Sequence, residues 1–129
     1  MRIRLALFAL WALTALACSS STSSSSTSTN PCANSGAAAT VSATDSFAFT
    51  PSSVTITVGQ SVCWQNTGHQ MHTVTDDATN GVRFSGNLPG GQTFVHTFTF
   101  GGSFSYHCNK HSNMTGTVIV NCRPGDLVC

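Results

Sequence analysis

The sequence is poor in charge. Only 7% of its 129 residues are charged, glutamate is absent, and five basic against four acidic side chains leave a formal net charge of +1. Binding to a phosphate backbone needs a basic footprint, and this chain has none. The composition therefore argues against nucleic acid as a partner. It favours docking through small polar and apolar patches.

The chain also lacks a hydrophobic run long enough to span a bilayer as a mature helix. Residues 1–17 combine two arginines, a short apolar run and small residues at the end, which predicts a secretory signal peptide. Cys18 follows directly, and Ala15-Leu16-Ala17-Cys18 resembles a bacterial lipobox with lipid attached to Cys18. We expect an exported protein of the periplasm or cell envelope, in contact with a membrane only through this anchor. Ordinary signal-peptidase cleavage after Ala17 is the alternative.

A flexible tether is expected over residues 18–37. Residues 19–29 are all Ser or Thr, a low-complexity composition with nothing to bury and no reason to fold. Such a tract suits a position directly behind a lipid anchor. On a protein released from the membrane, it would be a disordered N-terminal tail.

The folded domain is expected over residues 38–122, where apolar and polar residues alternate with period two and no helical period occurs. Residues 76–92 are expected to form a long loop with room for one small strand or helical turn, and Gly101-Gly102 is expected to close a hairpin. About seven or eight short strands predict an all-β fold, an antiparallel Greek-key β-sandwich. The alternating segments are 40–44, 54–58, 61–66, 72–75, 92–100, 104–108 and 115–121.

One short segment concentrates metal-ligand chemistry. Cys108, His111 and Met114 follow the spacing C-x2-H-x2-M between two predicted strands. A thiolate, imidazoles and a weak axial thioether are the ligands of a blue-copper site. Such a site needs a second imidazole, for which His72, in Met71-His72-Thr73-Val74-Thr75-Asp76, is the best candidate and His69, in a Gly-containing loop, is the alternative.

These residues resemble a known family. Cys108-x2-His111-x2-Met114 followed by Thr-Gly-Thr-Val-Ile-Val, with Asn66 and His72 upstream, is similar to the cupredoxins, especially plastocyanin and amicyanin. The resemblance covers residues 38–121. It implies one type 1 copper ion bound by His72, Cys108, His111 and Met114.

The resemblance also implies a role. It implies a small carrier that passes single electrons between redox protein partners through His111, and we expect this carrier to be a monomer and not an enzyme. Position 110 is commonly proline in the family and is lysine here. We expect the backbone N–H of Lys110 to donate to the Cys108 sulfur and to raise the reduction potential.

Six cysteines are present. With one assigned to lipid and one to copper, an even number remains, and an exported chain permits two disulfides among them. The resembling fold implies that these four thiols lie at the pole opposite the metal, where a bridge ties down the C-terminal tail, residues 123–129. Three pairings are open, and a second metal site is disfavoured because no C-x2-C pair occurs. The four are Cys32, Cys63, Cys122 and Cys129.

Two other functions use similar ligands. A periplasmic copper-binding or copper-delivery protein would share this site without carrying electrons, and exposed Met or His clusters would favour it. Apart from His69-Gln70-Met71-His72, the sequence has no such cluster. A copper oxidase or nitrite reductase domain would need further copper ligands and a second domain, for which 129 residues leave no room.

Overall fold

The computed structural model describes residues 30–79, 83–126 and 129. The predicted signal peptide, the lipidated Cys18 and the Ser/Thr-rich tract lie outside these residues and stay predictions. No helix in the described ranges is long and apolar enough to cross a membrane. The nine strands found there are β1 (Ala39–Thr44), β2 (Ala48–Thr50), β3 (Ser53–Thr57), β4 (Ser61–Asn66), β5 (His72–Asp76), β6 (Ser85–Leu88), β7 (Thr93–Thr97), β8 (Gly102–His107) and β9 (Thr115–Asn121).

The strands form two sheets, and the predicted all-β sandwich is confirmed. Sheet A has the order β2-β1-β4-β7, and sheet B has the order β3-β9-β8-β5-β6. The expectation of purely antiparallel pairing is wrong, because β1 with β4 and β3 with β9 run parallel. Period-two alternation reports which face of a strand is buried but carries no information about the direction of its neighbour.

Two local expectations differ from the structure. Gly101-Gly102 does not close a hairpin, because β7 belongs to sheet A and β8 to sheet B, so the segment between them crosses from one sheet to the other. Strand β2 was not predicted at all. It has only three residues, and it becomes a strand by pairing with the second half of β1.

Aromatic side chains fill the centre of the sandwich. Trp64 is fully buried on β4, and its ring packs against Phe84, Phe94 and Tyr106 at centroid distances of 5.8, 5.7 and 5.4 Å. On β8, Phe104 and Tyr106 point inward, as the alternation predicts. Cys108 follows Tyr106 by two residues and therefore lies on the same inward face, which places its thiol at the end of the core.

Tyr106 lies across β9 at a position where only glycine leaves room. Its partner in the β8–β9 register is Gly116, where an added Cβ would lie 2.3 Å from both Cζ and Oη of Tyr106. Burial raises the pKa of Tyr106 to about 12. The contact between Tyr106 and Gly116 fixes β8 and β9 relative to each other, next to the loop that carries Cys108.

The structure confirms two disulfides among the four remaining cysteines. Cys32 pairs with Cys63, which ties the turn before β1 to the middle of β4, and Cys122 pairs with Cys129 after the end of β9. Cα–Cα distances of 5.9 and 5.6 Å are ordinary for such bonds. The second bridge joins Cys129 to the residue that follows β9.

Candidate metal centre

The candidate ligands come from two segments at one end of sheet B. His72 is the first residue of β5, whereas Cys108 directly follows β8 and Met114 directly precedes β9. The loop between Cys108 and Met114 is tight: the Cys108 N–H donates to the Met114 carbonyl at 2.9 Å, and the His111 N–H donates to the Cys108 carbonyl at 3.4 Å. This folding back places three candidate ligands on one short loop.

The donor atoms of His72, Cys108 and His111 form a cluster with metal-site dimensions. The Cys108 Sγ lies 3.9 Å from the His72 Nδ1 and 3.5 Å from the His111 Nδ1. All three donor atoms are within 4.8 Å of one another. An ion with a sulfur bond near 2.3 Å and nitrogen bonds near 2.0–2.1 Å separates its sulfur and nitrogen ligands by about 3.5–4 Å at tetrahedral to trigonal angles. The observed spacing fits one shared ion.

The chemistry of the donor set fits copper. Cys108 is buried and forms no disulfide, so its sulfur is available to bind a metal. His72 and Met114 are buried as well, whereas His111 is only half-buried. A soft thiolate and thioether combined with imidazoles suit an ion that changes between Cu(I) and Cu(II).

His72 is held neutral by its surroundings. Burial lowers the pKa of His72, and the neighbouring His111 lowers it further, while the Asp45 carboxylate acts in the opposite direction. A neutral imidazole is the form that binds a metal. His69, the alternative candidate, is exposed and is not a member of the cluster of donor atoms.

The Cys108 sulfur receives a hydrogen bond from a residue that sequence analysis missed. The Thr73 N–H donates to Sγ at 3.3 Å, whereas Lys110, the expected donor, makes no such bond in the part of the chain that the structure describes. The reason is topological: β5 lies beside β8, with Thr75 opposite His107, so the backbone after His72 runs past the sulfur. The Thr73 hydroxyl also accepts the Asn109 N–H at 2.8 Å, which ties the ligand loop to β5.

The loop before His72 is anchored on both sides. The Asn66 side chain donates to the Gln70 carbonyl at 2.6 Å and to the Leu88 carbonyl at 2.9 Å. From the other side, the Asp45 carboxylate accepts the His69 and Gln70 N–H groups at 2.8 and 3.0 Å. The Gln70 and His69 N–H groups lower the pKa of Asp45. These bonds fix the start of β5, and with it the position of His72.

An aromatic residue that the sequence did not single out covers His111. Phe47, in the turn between β1 and β2, stacks on the His111 ring with a centroid distance of 4.3 Å and an interplanar angle of 23°. It lies 6.5 Å from the His72 ring in an edge-on orientation. No local sequence pattern indicates this contact, because the two residues are far apart in the chain.

His107 points away from the candidate metal centre, as its position next to Cys108 in a strand predicts. Its Nδ1 contacts the Asp77 carboxylate, and its Nε2 lies 2.7 Å from the Asn109 Oδ1. The hydrogen bond to Asp77 raises the pKa of His107. His107 is therefore part of the surface support of the ligand loop and not a member of the donor cluster.

Fold and donor set together define a class of protein, the cupredoxins. The family model for copper binding proteins of the plastocyanin/azurin family matches residues 36–121, and the chain belongs to this family. The family, the cluster of His72, Cys108 and His111, and the buried Met114 on the same loop are consistent with one type 1 copper ion as cofactor. They support a blue-copper electron carrier.

Solved structures point to particular relatives. Amicyanin from Paracoccus versutus (Thiobacillus versutus) is 27% identical, with a TM-score of 0.60 over 64% of this chain and 80% of that chain. A purple cupredoxin from Nitrosopumilus maritimus is 26% identical, with a TM-score of 0.59 over 64% of this chain and 99% of that chain. A reduced amicyanin mutant is 27% identical, with a TM-score of 0.61 over 67% of this chain and 84% of that chain.

Proposed function

We propose that this protein is a one-electron carrier with a single copper site formed by His72, Cys108, His111 and Met114. The observation that carries the proposal is the buried, free Cys108 thiol with imidazole nitrogens at 3.5 and 3.9 Å. The bound copper supplies the one-electron chemistry, since it cycles between Cu(I) and Cu(II). The protein acts as a carrier and not as an enzyme.

The role of the chain is to keep the ligands in one geometry. Three anchors support this view: the Asn66 and Asp45 bonds to the loop before His72, and the Thr73 bond to Asn109. The Thr73 N–H stabilises negative charge on the Cys108 sulfur. Ligands that are fixed in this way need little rearrangement when an electron arrives or leaves.

The electron leaves through His111, because it is the candidate ligand with the most access to the surface. Phe47 and Met71, which are 47% and 41% exposed, supply apolar surface on the segments that flank the two histidines. Such a surface suits brief docking to another redox protein, and the low charge of the chain provides little long-range steering. The carrier works as a monomer.

Export and anchoring complete the proposal. A signal peptide over residues 1–17, lipid on Cys18 and a Ser/Thr-rich tether would hold the domain at a membrane of the cell envelope. The two disulfides support an oxidising compartment. Mass spectrometry of the mature N-terminus tests the anchor: a diacylglyceryl-modified Cys18 is expected, and an unmodified terminus at Cys18 would favour ordinary cleavage after Ala17.

The function is tested by the visible absorption spectrum of the mature protein with one equivalent of Cu(II). We expect an intense band near roughly 600 nm that ascorbate bleaches, because a thiolate–copper bond produces it. The Cys108→Ser and His72→Ala variants should lose this band, whereas the matched control His69→Ala should keep it. A pale wild-type protein would contradict the proposal.

Copper delivery is the second candidate, because His69 and Met71 are exposed next to His72. The two functions differ in what leaves the protein. An electron carrier exchanges electrons between its Cu(I) and Cu(II) forms faster than it gives copper to a chelator. A delivery protein would lose Cu(I) within the time of the electron-exchange measurement.

A further inference from the structure

Among the four candidate ligands, His111 is the least protected. His72, Cys108 and Met114 are exposed by 0%, 4% and 1%, whereas His111 is half-buried on the loop surface. One face of its ring is covered by Phe47, which stacks at 4.3 Å, while the His72 ring lies 4.9 Å away at an angle of 60°. The retention of His111 at the metal therefore depends on a residue outside the ligand loop.

Phe47 adopts a conformation that its own packing does not explain. Its backbone has φ of +57°, in the left-handed region that a bulky side chain seldom adopts, and its side chain remains 47% exposed. Strain of this kind persists where surrounding contacts impose it, and it clusters at functional positions. Because the Phe47 ring is largely exposed, burial contributes little to holding it in this strained turn. The stack on His111 is the contact that accounts for its position.

Hydrogen bonds join the turn that carries Phe47 to the loop before His72. The Phe47 N–H donates to the Thr44 carbonyl at 3.0 Å, and the Asp45 carboxylate accepts the N–H groups of His69 and Gln70. Gly68 permits this close approach, since a Cβ there would lie 2.0 Å from the Asp45 Oδ1. Phe47 thus covers His111 from a turn that is anchored to the segment before His72 and not to the loop that carries His111.

We propose that Phe47 is a positioning residue that keeps the His111 imidazole in its ligating orientation when the site is reduced. The inference rests on the proposed copper site. Soft thiolate and thioether ligands suit Cu(I), so reduction favours the bonds to Cys108 and Met114 over the bonds to the two imidazoles. His72 cannot leave because it is fully buried, whereas His111 is free to turn toward solvent unless Phe47 blocks that movement.

The test is the rate at which the Cu(I) form of the mature protein transfers copper to an excess of a Cu(I) chelator. Phe47→Gly removes the ring and suits the positive φ, whereas Phe47→Tyr keeps a ring of the same shape. We expect Phe47→Gly to release Cu(I) about three- to tenfold faster, the range that one stacked aromatic pair contributes to an equilibrium. Phe47→Tyr should stay within about twofold of the wild type. Met71→Ala controls for the loss of exposed apolar surface near the site.

A second measurement separates positioning from a general structural effect. The metal-free Phe47→Gly variant should unfold at the same or a higher urea concentration than the wild type, because an exposed ring is lost and backbone strain is relieved. In NMR spectra of the metal-free proteins, the His111 ring protons should lose their ring-current shift in Phe47→Gly and keep it in Phe47→Tyr. A merely structural role would lower the stability of the metal-free variant, and unchanged His111 signals would show that the stack does not form in solution; either result would overturn the inference.

The outcomes distinguish this inference from the function on which it rests. A wild-type protein without a thiolate–copper band would overturn both. A coloured wild type whose Phe47→Gly variant releases Cu(I) at the wild-type rate would overturn the positioning role alone. Equal acceleration by Phe47→Gly and Met71→Ala would also overturn it, since the effect would then come from apolar cover and not from the stack.

Discussion

The two disulfides close loops of very different length, which predicts different contributions to stability. Cys32–Cys63 joins residues 31 positions apart, whereas Cys122–Cys129 joins residues 7 apart. By the loop-entropy relation, losing these constraints on the unfolded chain lowers the free energy of unfolding by about 3.7 and about 2.4 kcal/mol, respectively. Cys32 and Cys63 are also buried, whereas Cys122 is exposed, so lost packing widens the difference.

Urea unfolding of the metal-free protein, followed by the fluorescence of the buried Trp64, measures both effects. Replacing both members of a bridge by alanine avoids leaving a free thiol. The variant without Cys32–Cys63 should be less stable than the variant without Cys122–Cys129 by at least about 1 kcal/mol. Both should keep the copper absorption band, because neither bridge involves residues 108–114. Equal losses, or a larger loss for the short loop, would refute the entropic reasoning.

The contributions of the two disulfides to stability also indicate the kind of compartment in which this protein works. Together the bridges contribute about 6 kcal/mol, while a typical domain has only about 5–15 kcal/mol of net stability. In a reducing compartment, a large share of that margin would be missing from a domain with a small core. The two bridges therefore favour an oxidising environment, which supports the proposal that the protein is exported.

Two further substitutions test the core and its acid response. Gly116→Ala should destabilise the protein by about 1–3 kcal/mol, because the added methyl group meets the buried Tyr106 ring; a wild-type melting temperature would show that the ring can move aside. Arg83 donates hydrogen bonds to the Asp76 carboxylate and lowers its pKa. The ionised carboxylate therefore contributes fully to the free energy of unfolding above the pKa of about 3.9 in the unfolded chain, and this contribution is lost as pH falls through the lower pKa of the folded protein. Asp76→Asn should therefore lower stability at pH 7 by about 1–3 kcal/mol and flatten the loss of stability below about pH 4; identical pH profiles in urea unfolding would contradict this.

The ligand loop was predictable because its information is local. Spacing alone brings Cys108, His111 and Met114 onto one loop, and the alternation of β8 places the thiol on the buried face. His72 was predictable because Thr73-Val74-Thr75, the residues that follow it, match the segment of the family that carries the first histidine. The same alternation located the sandwich core and seven of the nine strands to within a few residues.

The remaining features depend on contacts between distant parts of the chain. The parallel pairs β1–β4 and β3–β9 and the three-residue β2 arise only when the two sheets assemble. The Thr73 hydrogen bond to the Cys108 sulfur follows from the position of β5 beside β8. The sequence around Phe47 does not indicate which residue its ring contacts, and the contact with His111 is visible only when the β1–β2 turn is placed over the ligand loop.

The candidate metal centre depends on the register of β8, and this register is set inside the core. Successive side chains of a strand point to opposite faces, so a slip of one residue would replace Cys108 by His107 or Asn109 at the end of the inward row. The pairing of Tyr106 with Gly116 opposes such a slip, because the Tyr106 ring fits only over a position without a Cβ. Crowding at position 116 should therefore disturb the Cys108–copper bond as well as the stability of the fold. The core beneath the site contributes to its chemistry by fixing which side chain reaches it.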